Sequence, residues 1–336
     1  MPTAFPVRLL TAVAKSMFVH LQMPSIMLLE APVMVAIAAG TRSALVVDLG
    51  WHECVVSVVF ELRVVGVGGR SRRGGKALRE IWKAMLEREG ASGVSDAEVE
   101  EVLARVGWCR EYGASSGDND IGDGSTIEIP LSTTSPPAIL RLPFTKLSAP
   151  ADKTFFANTT VDSPSPDYPD DDDLPLQDLV YRVLRNTPID VRAAAMQRIA
   201  IVGGAAQTPN LKRRIIDEVR ATVRRRGWDR VGKRPSAKQE EKTEKTKPKD
   251  LKPEDVSYHW RRETTASPEE DERAEVEGEN RKSSEKPGTI SGVESLGSWV
   301  GASLVAGMKV RGLLEVERDK FLATVVAGGS GFPLDF

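Results

Sequence analysis

An α/β fold is predicted by three features of this chain. Residues 44–48 and 53–62 are two aliphatic, β-branched runs separated by Leu49-Gly50-Trp51-His52, the pattern of a β-hairpin. Residues 199–202 form a third short apolar run, which stops at Gly203-Gly204. Between them, apolar residues return at helical spacing in residues 76–89 and 176–184. Strands and helices that alternate in this way bury their apolar faces by layering helices on a sheet.

Composition narrows the class. The 336 residues are 40% hydrophobic and 28% charged, an ordinary globular balance whose length suits one large or two medium domains. A net charge of −2 gives no electrostatic reason to expect nucleic acid as a partner. The two cysteines, Cys54 and Cys109, and the three histidines, His20, His52 and His259, are scattered. They form neither a disulfide framework nor a metal-ligand spacing, and a reducing, cytoplasmic setting suits them. The longest apolar stretch, residues 26–39, contains Glu30 and Pro32 and falls short of the ~20 residues of a membrane-spanning helix. Residues 1–29 carry Arg8 and Lys15 but no acid, as targeting peptides do. An ordinary amphipathic helix over residues 7–21 is the preferred reading.

The remaining elements follow in order. Both runs of the hairpin are apolar on both faces, so it should be buried. Glycines and arginines crowd residues 66–75, which reads as a loop. A helix over 76–89 would turn inward either Ala77, Ile81, Ala84 and Met85 or Leu78, Trp82 and Met85. Ser95 and Glu98 make a capping box for a second helix running through Arg105. Residues 112–173 are rich in Ser, Thr, Pro, Gly and Asp, with short strands expected at 126–129 and 139–142. The acidic run 170–173 suits a solvated turn before a helix N-terminus better than a metal site. Leu176, Leu179, Val180, Val183 and Leu184 share one helical face. Thr208 is expected to cap a helix that opens with Pro209 and continues to about residue 226. Residues 233–286 hold only Leu251, Val256 and Val276 as branched aliphatics and should be a disordered charged insertion. Order returns at Ser291, with a small-residue helix over 296–310.

Three of these landmarks stand in an order that resembles the actin family. Met17-Phe18 through Pro24 to Ala38-Ala39-Gly40, followed by residues 44–50, is similar to the actin helix leading into the second phosphate-binding hairpin. Leu179-Val180-Tyr181, Asp190-Val191-Arg192 and Ile201-Val202-Gly203-Gly204 resemble the actin run of helix, helix, strand and adenosine loop, and Pro209 stands where actin also has proline. Ser298-Trp299-Val300-Gly301-Ala302-Ser303-Leu304 is close to the actin motif Ser-x-Trp-x-Gly-x-Ser, and residues 317–321 look like the closing actin element. Within the family, Asp48-x-Gly50-x-x-Glu53 and Gly74-Gly75-Lys76-Ala77-Leu78 look most like the actin-related subunit at the pointed end of dynactin.

The resemblance implies an actin-like (ribonuclease H-like) fold that begins past the family's first third. Residues 1–43 would be a helical lead-in, 44–229 two actin-like subdomains, 230–290 the insertion and 291–336 the closing segment. It implies that turns at Asp48 and Gly203 face each other across a cleft for ATP or ADP, with Asp48, Gly50, Gly203, Gly204 and Arg105 as nucleotide contacts. It also implies a degraded catalytic site. The water-orienting glutamine of the family falls on Ala31, whose methyl group cannot hold a water, and Glu30 beside it points about 100° away. Trp51 and His52 replace small residues and would crowd a phosphate. Without the first third, the helix over 296–310 would lack its main packing partner. The expectation is a non-catalytic, cytoplasmic and cytoskeletal assembly subunit of dynactin, partnered by the protein subunits of an actin-like filament, with no metal and no catalytic residue. The rivals are an actin-like ATPase and a chromatin-associated actin-related subunit.

Overall fold

The computed structural model describes residues 6–113, 125–133, 138–156, 172–228, 289–308 and 315–326. One compact unit comprises residues 1–226 and 288–336; the second, 227–287, lies almost wholly outside the described residues, and with it the insertion expected there.

A five-stranded mixed sheet forms the centre. β2 (Ala44–Leu49), β3 (Cys54–Phe60) and β4 (Arg63–Ser71) run as an antiparallel meander, and β7 (Ile199–Val202) and β8 (Gly292–Val293) add parallel to β2, in the order β4-β3-β2-β7-β8. The expected hairpin is therefore present, and most of its side chains are buried on both faces.

Strand alternation assigns the layers. On one face, α2 (Ala31–Ala38) packs Val33, Met34, Val35 and Ala36 against Ala44, Val46, Val59 and Ala200. On the other, α6 (Leu176–Arg185) presents Leu179 and Val183 to Gly69, and α8 (Leu211–Arg226) presents Ile216 to Gly292. α7 (Ile189–Met196) leads into β7. The closing helix α9 (Ser298–Gly307) stacks outside α2, with Val305 in the same cluster and the Ser295 hydroxyl donating to the Val35 carbonyl at 2.8 Å. The small-residue helix thus rests on α2 through Gly301 and Val305, while Trp299 and Leu304 stay exposed.

The glycine-rich stretch read as a loop is strand β4. Two of its glycines, Gly68 and Gly69, supply clearance, while Gly66 supplies a left-handed backbone with φ 73° in open space. A Cβ on Gly68 would stand 2.5 Å from the Val56 carbonyl oxygen, and one on Gly69 would stand 2.8 Å from side-chain atoms of both Leu179 and Val183. The bare Gly69 lets α6 approach, and the bare Gly68 lets the strand pass the Val56 carbonyl.

Two smaller assemblies surround the sheet. In the first, α3 (Gly75–Arg88), α4 (Asp96–Val106), α5 (Ala149–Phe156) and the hairpin of β5 (Thr126–Leu131) with β6 (Ala138–Pro143) come together. The α3 stripe is the second alternative, with Leu78 and Trp82 buried and Leu86 in place of Met85. α5 lies inside the segment expected to be loop. Ser95 caps α4 by accepting from the Glu98 amide at 3.3 Å. The reciprocal half of the box is absent, because the buried Glu98 carboxylate instead accepts from the amides and hydroxyls of Ser132 and Thr133 at the end of β5. Burial opposes its charge, but those donors outweigh burial and hold the carboxyl below its usual range. In the second assembly, α1 (Val7–His20) and α10 (Arg318–Val326) sit with the two-stranded pair β1 (Ser25–Met27) and β9 (Glu315–Glu317), and Phe18 meets Phe321 at 5.0 Å between ring centroids.

The acidic run is described only at Asp172 and Asp173. There it is a solvated turn just before α6, as expected, and it also fastens β4: the Asp173 carboxylate takes the Arg73 guanidinium at 3.1 Å, and the Asp172 carbonyl accepts from the Arg72 amide at 2.9 Å.

Candidate functional site

The candidate site lies at the carboxyl ends of β2 and β7, where ligands of open α/β sheets collect. The parallel register pairs Asp48 with Val202, so the turns that follow, Leu49-Gly50 and Gly203-Gly204, are neighbours on one sheet edge. The expectation that they face each other across a cleft is therefore corrected; adjacent parallel strands carry both. Gly203 has φ 99°, and a Cβ there would stand 2.6 Å from the Leu49 carbonyl carbon and 2.7 Å from Asp48 Oδ1. Glycine lets the two turns touch.

The hairpin turn also grips α3. The Gly50 and Trp51 carbonyls accept from the Gly75 and Lys76 amides at 2.9 and 2.8 Å. Two of the four donors at the N-terminus of α3 are thus engaged by the hairpin and are not available to an anion. A Cβ on Gly74 would lie 2.7 Å from the Trp51 carbonyl oxygen and 2.8 Å from the Glu53 nitrogen, which explains the paired glycines before α3. The Trp51 ring lies over Gly75, with the Arg79 guanidinium 5.1 Å from its centroid. Trp51 is therefore folded onto α3, and this clasp was not anticipated. Its signal in the sequence is Gly74-Gly75, the end of the stretch expected to be loop. His52 is exposed beside it.

Asp48 shares the α2 face with Ala44 and Val46 but stands one step beyond them, at the edge. Its side chain reaches solvent and has no hydrogen-bond partner among the described residues. Partial burial pushes its carboxyl above the usual range. Cys54, on β3, donates to the Arg73 carbonyl, and burial pushes its thiol far up, so it is no nucleophile.

Other expected contributors make their contacts elsewhere. Arg105, on α4, pairs with Glu101 at 3.5 Å. It lines a groove of about 510 Å³ with Val102, Pro130, Leu131 and Ile139. Thr208 and Pro209 do not open α8, which begins at Leu211. Asn210 adopts φ 64° and its side chain donates to the Cys109 carbonyl at 3.0 Å, holding residues 208–210 as a turn. The helix N-terminus is thereby moved beyond Pro209. Among the described residues, no three His, Cys, Asp or Glu side chains gather as a metal site, and no helix is long and apolar enough to cross a membrane.

The raised Asp48 carboxyl gives a directional expectation. A folded state that binds this proton more tightly than the unfolded chain loses stability as pH rises through the carboxylate range. Asp48→Asn should therefore melt above wild type near pH ~7, and the difference should shrink toward pH ~3, where both states are protonated. Thermal melts across that range test it; a variant that melts below wild type at neutral pH would show that the charge is used by the fold. No protein-family model matches this chain.

Proposed function

We propose that this chain is a non-catalytic assembly subunit on an actin-like fold, acting in the cytoplasm and cytoskeleton as part of dynactin and so in dynein-driven transport along microtubules. The observation that carries the reading is the sheet: an antiparallel meander of three strands followed by two parallel ones, with the Asp48 hairpin and the Gly203-Gly204 turn side by side at its carboxyl edge. The turns stand side by side rather than across a cleft, but both expected nucleotide-contacting turns still meet at one edge of the sheet. The resemblance at residues 17–50, 179–204 and 298–304 supplies the rest.

The residues fit ATP or ADP in part. Glycines bring backbone close at Gly50 and Gly203, as a phosphate or adenosine cradle requires. Against this, the first amides of α3 are taken by the hairpin, and Arg105 is paired on another surface. Ala31 opens α2 with a methyl group that cannot orient a water. Bound nucleotide would supply a structural bridge here, while hydrolysis lacks its positioning group. Asp48 favours the rival reading of an ATP-binding protein, because an unpartnered carboxylate suits a nucleotide's cation.

Affinity capture of the full chain from its native cells tests the assembly reading. Dynactin subunits should be recovered with it. Recovery of chromatin-remodelling subunits instead would reject the placement, and ATP turnover well above background that Asp48→Ala abolishes would reject the non-catalytic assignment.

A further inference from the structure

The hairpin of β5 and β6 is a sheet of two strands, so each strand has an outer edge. The Phe144 amide donates to the Ser125 carbonyl at 3.0 Å. These two residues are the next pair beyond Thr126 with Pro143, so bonded pairs recur as Ile127 with Leu142, Ile129 with Leu140 and Leu131 with Ala138. The residues between them turn their backbone groups outward: Thr126, Glu128 and Pro130 on β5, and Ile139, Arg141 and Pro143 on β6. Both prolines, which have no N–H to give, fall on outward positions.

Other sheet edges of this fold are guarded. On β5, Pro130 interrupts the row, and Glu98 of α4 takes the amides of Ser132 and Thr133 just past its end. β4 is broken by the register shift between Val56 and Val58, and β8 has two residues only. β6 has neither a bulge nor a proline before Pro143. The amides and carbonyls of Ile139 and Arg141 meet no partner among the described residues. The one charge on this edge is drawn back from it, since the Arg141 guanidinium reaches Glu128 on β5 at 2.8 Å. Ile139 lies on the same face and is 64% exposed.

We propose that β6 is a strand-accepting edge: an extended segment of a protein partner pairs with Ile139 and Arg141 and sets an apolar side chain against Ile139. The row itself selects this occupant. Two N–H and two C=O groups in strand geometry are matched by another extended backbone, not by a helix or a lipid surface. A second copy of this chain fits worse. Two-fold pairing through these residues would set Ile139 against Arg141 of the other copy and bring the two arginines onto one diagonal, like charge near like. The inference rests on the assembly reading.

The test compares full-length wild type, Arg141→Ala and Arg141→Pro, each as bait in native cells, with a melt of each and hydrogen exchange on the free and assembled wild type. On assembly the Ile139 and Arg141 amides should exchange at least about tenfold more slowly, while those of Leu140 and Leu142, bonded to β5, are protected in both states. Arg141→Pro removes an outward N–H at a position where proline suits the strand. It should melt close to Arg141→Ala yet recover at least about tenfold less partner. Arg141→Ala keeps the N–H and should recover partner as wild type does. If Arg141→Pro melts well below Arg141→Ala, the N–H serves the fold and the inference falls. Equal recovery by the two variants, or unchanged exchange on assembly, overturns this inference alone. Protection that appears in the isolated chain as its concentration rises makes the occupant a second copy and overturns it too. A wild type that recovers no protein partner overturns it together with the assembly reading. Partners outside dynactin that Arg141→Pro loses leave the edge standing and reject only the dynactin placement.

Discussion

Gly203→Ala is expected to cost about 3 kcal/mol or more of unfolding free energy, while Gly204→Ala beside it should change stability by no more than about 0.5 kcal/mol. The contrast comes from geometry. At Gly203 an added methyl meets the Leu49 carbonyl carbon at 2.6 Å and Asp48 Oδ1 at 2.7 Å, on a backbone with φ 99° that alanine resists. At Gly204 there is open space, and the backbone is helical with φ −62° and ψ −44°. The Asp48 carboxylate can turn aside, but the Leu49 carbonyl is backbone, held by the pairing of Leu49 with Cys54 on β3 and of Asp48 with Val202 on β7, and it cannot. The turn must move, and the pairing of Asp48 with Val202 moves with it. Urea denaturation of both variants measures the difference. Two variants of equal stability would mean that the Gly203 turn does not press on the end of β2, and the candidate site would lose its geometry.

How far such features could be read from sequence depends on the range of the contact responsible. The β2–β3 hairpin was legible because its cause is local: β-branched runs and a glycine within one stretch of chain. The strand β7 and the glycine turn after it were legible for the same reason. β4 is illegible as a strand because Gly68 and Gly69 look like loop residues until Val56 of β3 is set against the first and α6, far along the chain, over the second. The inward face of α3 stayed open between two stripes until tertiary packing chose Leu78, Trp82 and Leu86. The start of α8 was placed too early because Thr208 and Pro209 carry the local signal of a helix start, while an Asn210 contact with Cys109 overrides it. At the site, each glycine could be named but not their adjacency. Parallel pairing of β2 with β7 joins segments distant in sequence, and no local pattern encodes that register. Trp51 was expected to obstruct ligand; the partner that draws it away, Arg79, lies on the next helix.

The same reasoning gives the second large effect at Gly301 in α9. Intrinsic propensity alone says that alanine in a helix interior should stabilise by about 1 kcal/mol relative to glycine. The expected result has the opposite sign: Gly301→Ala should lose about 2 kcal/mol or more. The methyl would overlap the Met34 carbonyl oxygen and stand 2.6 Å from the Met34 carbonyl carbon, on the backbone of α2. α2 is itself fixed, since Val33, Met34, Val35 and Ala36 are all buried against the sheet. α9 must therefore withdraw, taking Val305 out of the core and separating Ser295 from the Val35 carbonyl. Hydrogen exchange separates this outcome from general unfolding, because α9 amides should lose protection while those of β2 keep theirs. Gly307→Ala, with nothing near its added methyl, is the matched control and should leave α9 protected. If Gly301→Ala proved as stable and as protected as wild type, α9 would not rest on α2, and its outer surface, where Trp299 is 82% exposed, would have to be reassigned.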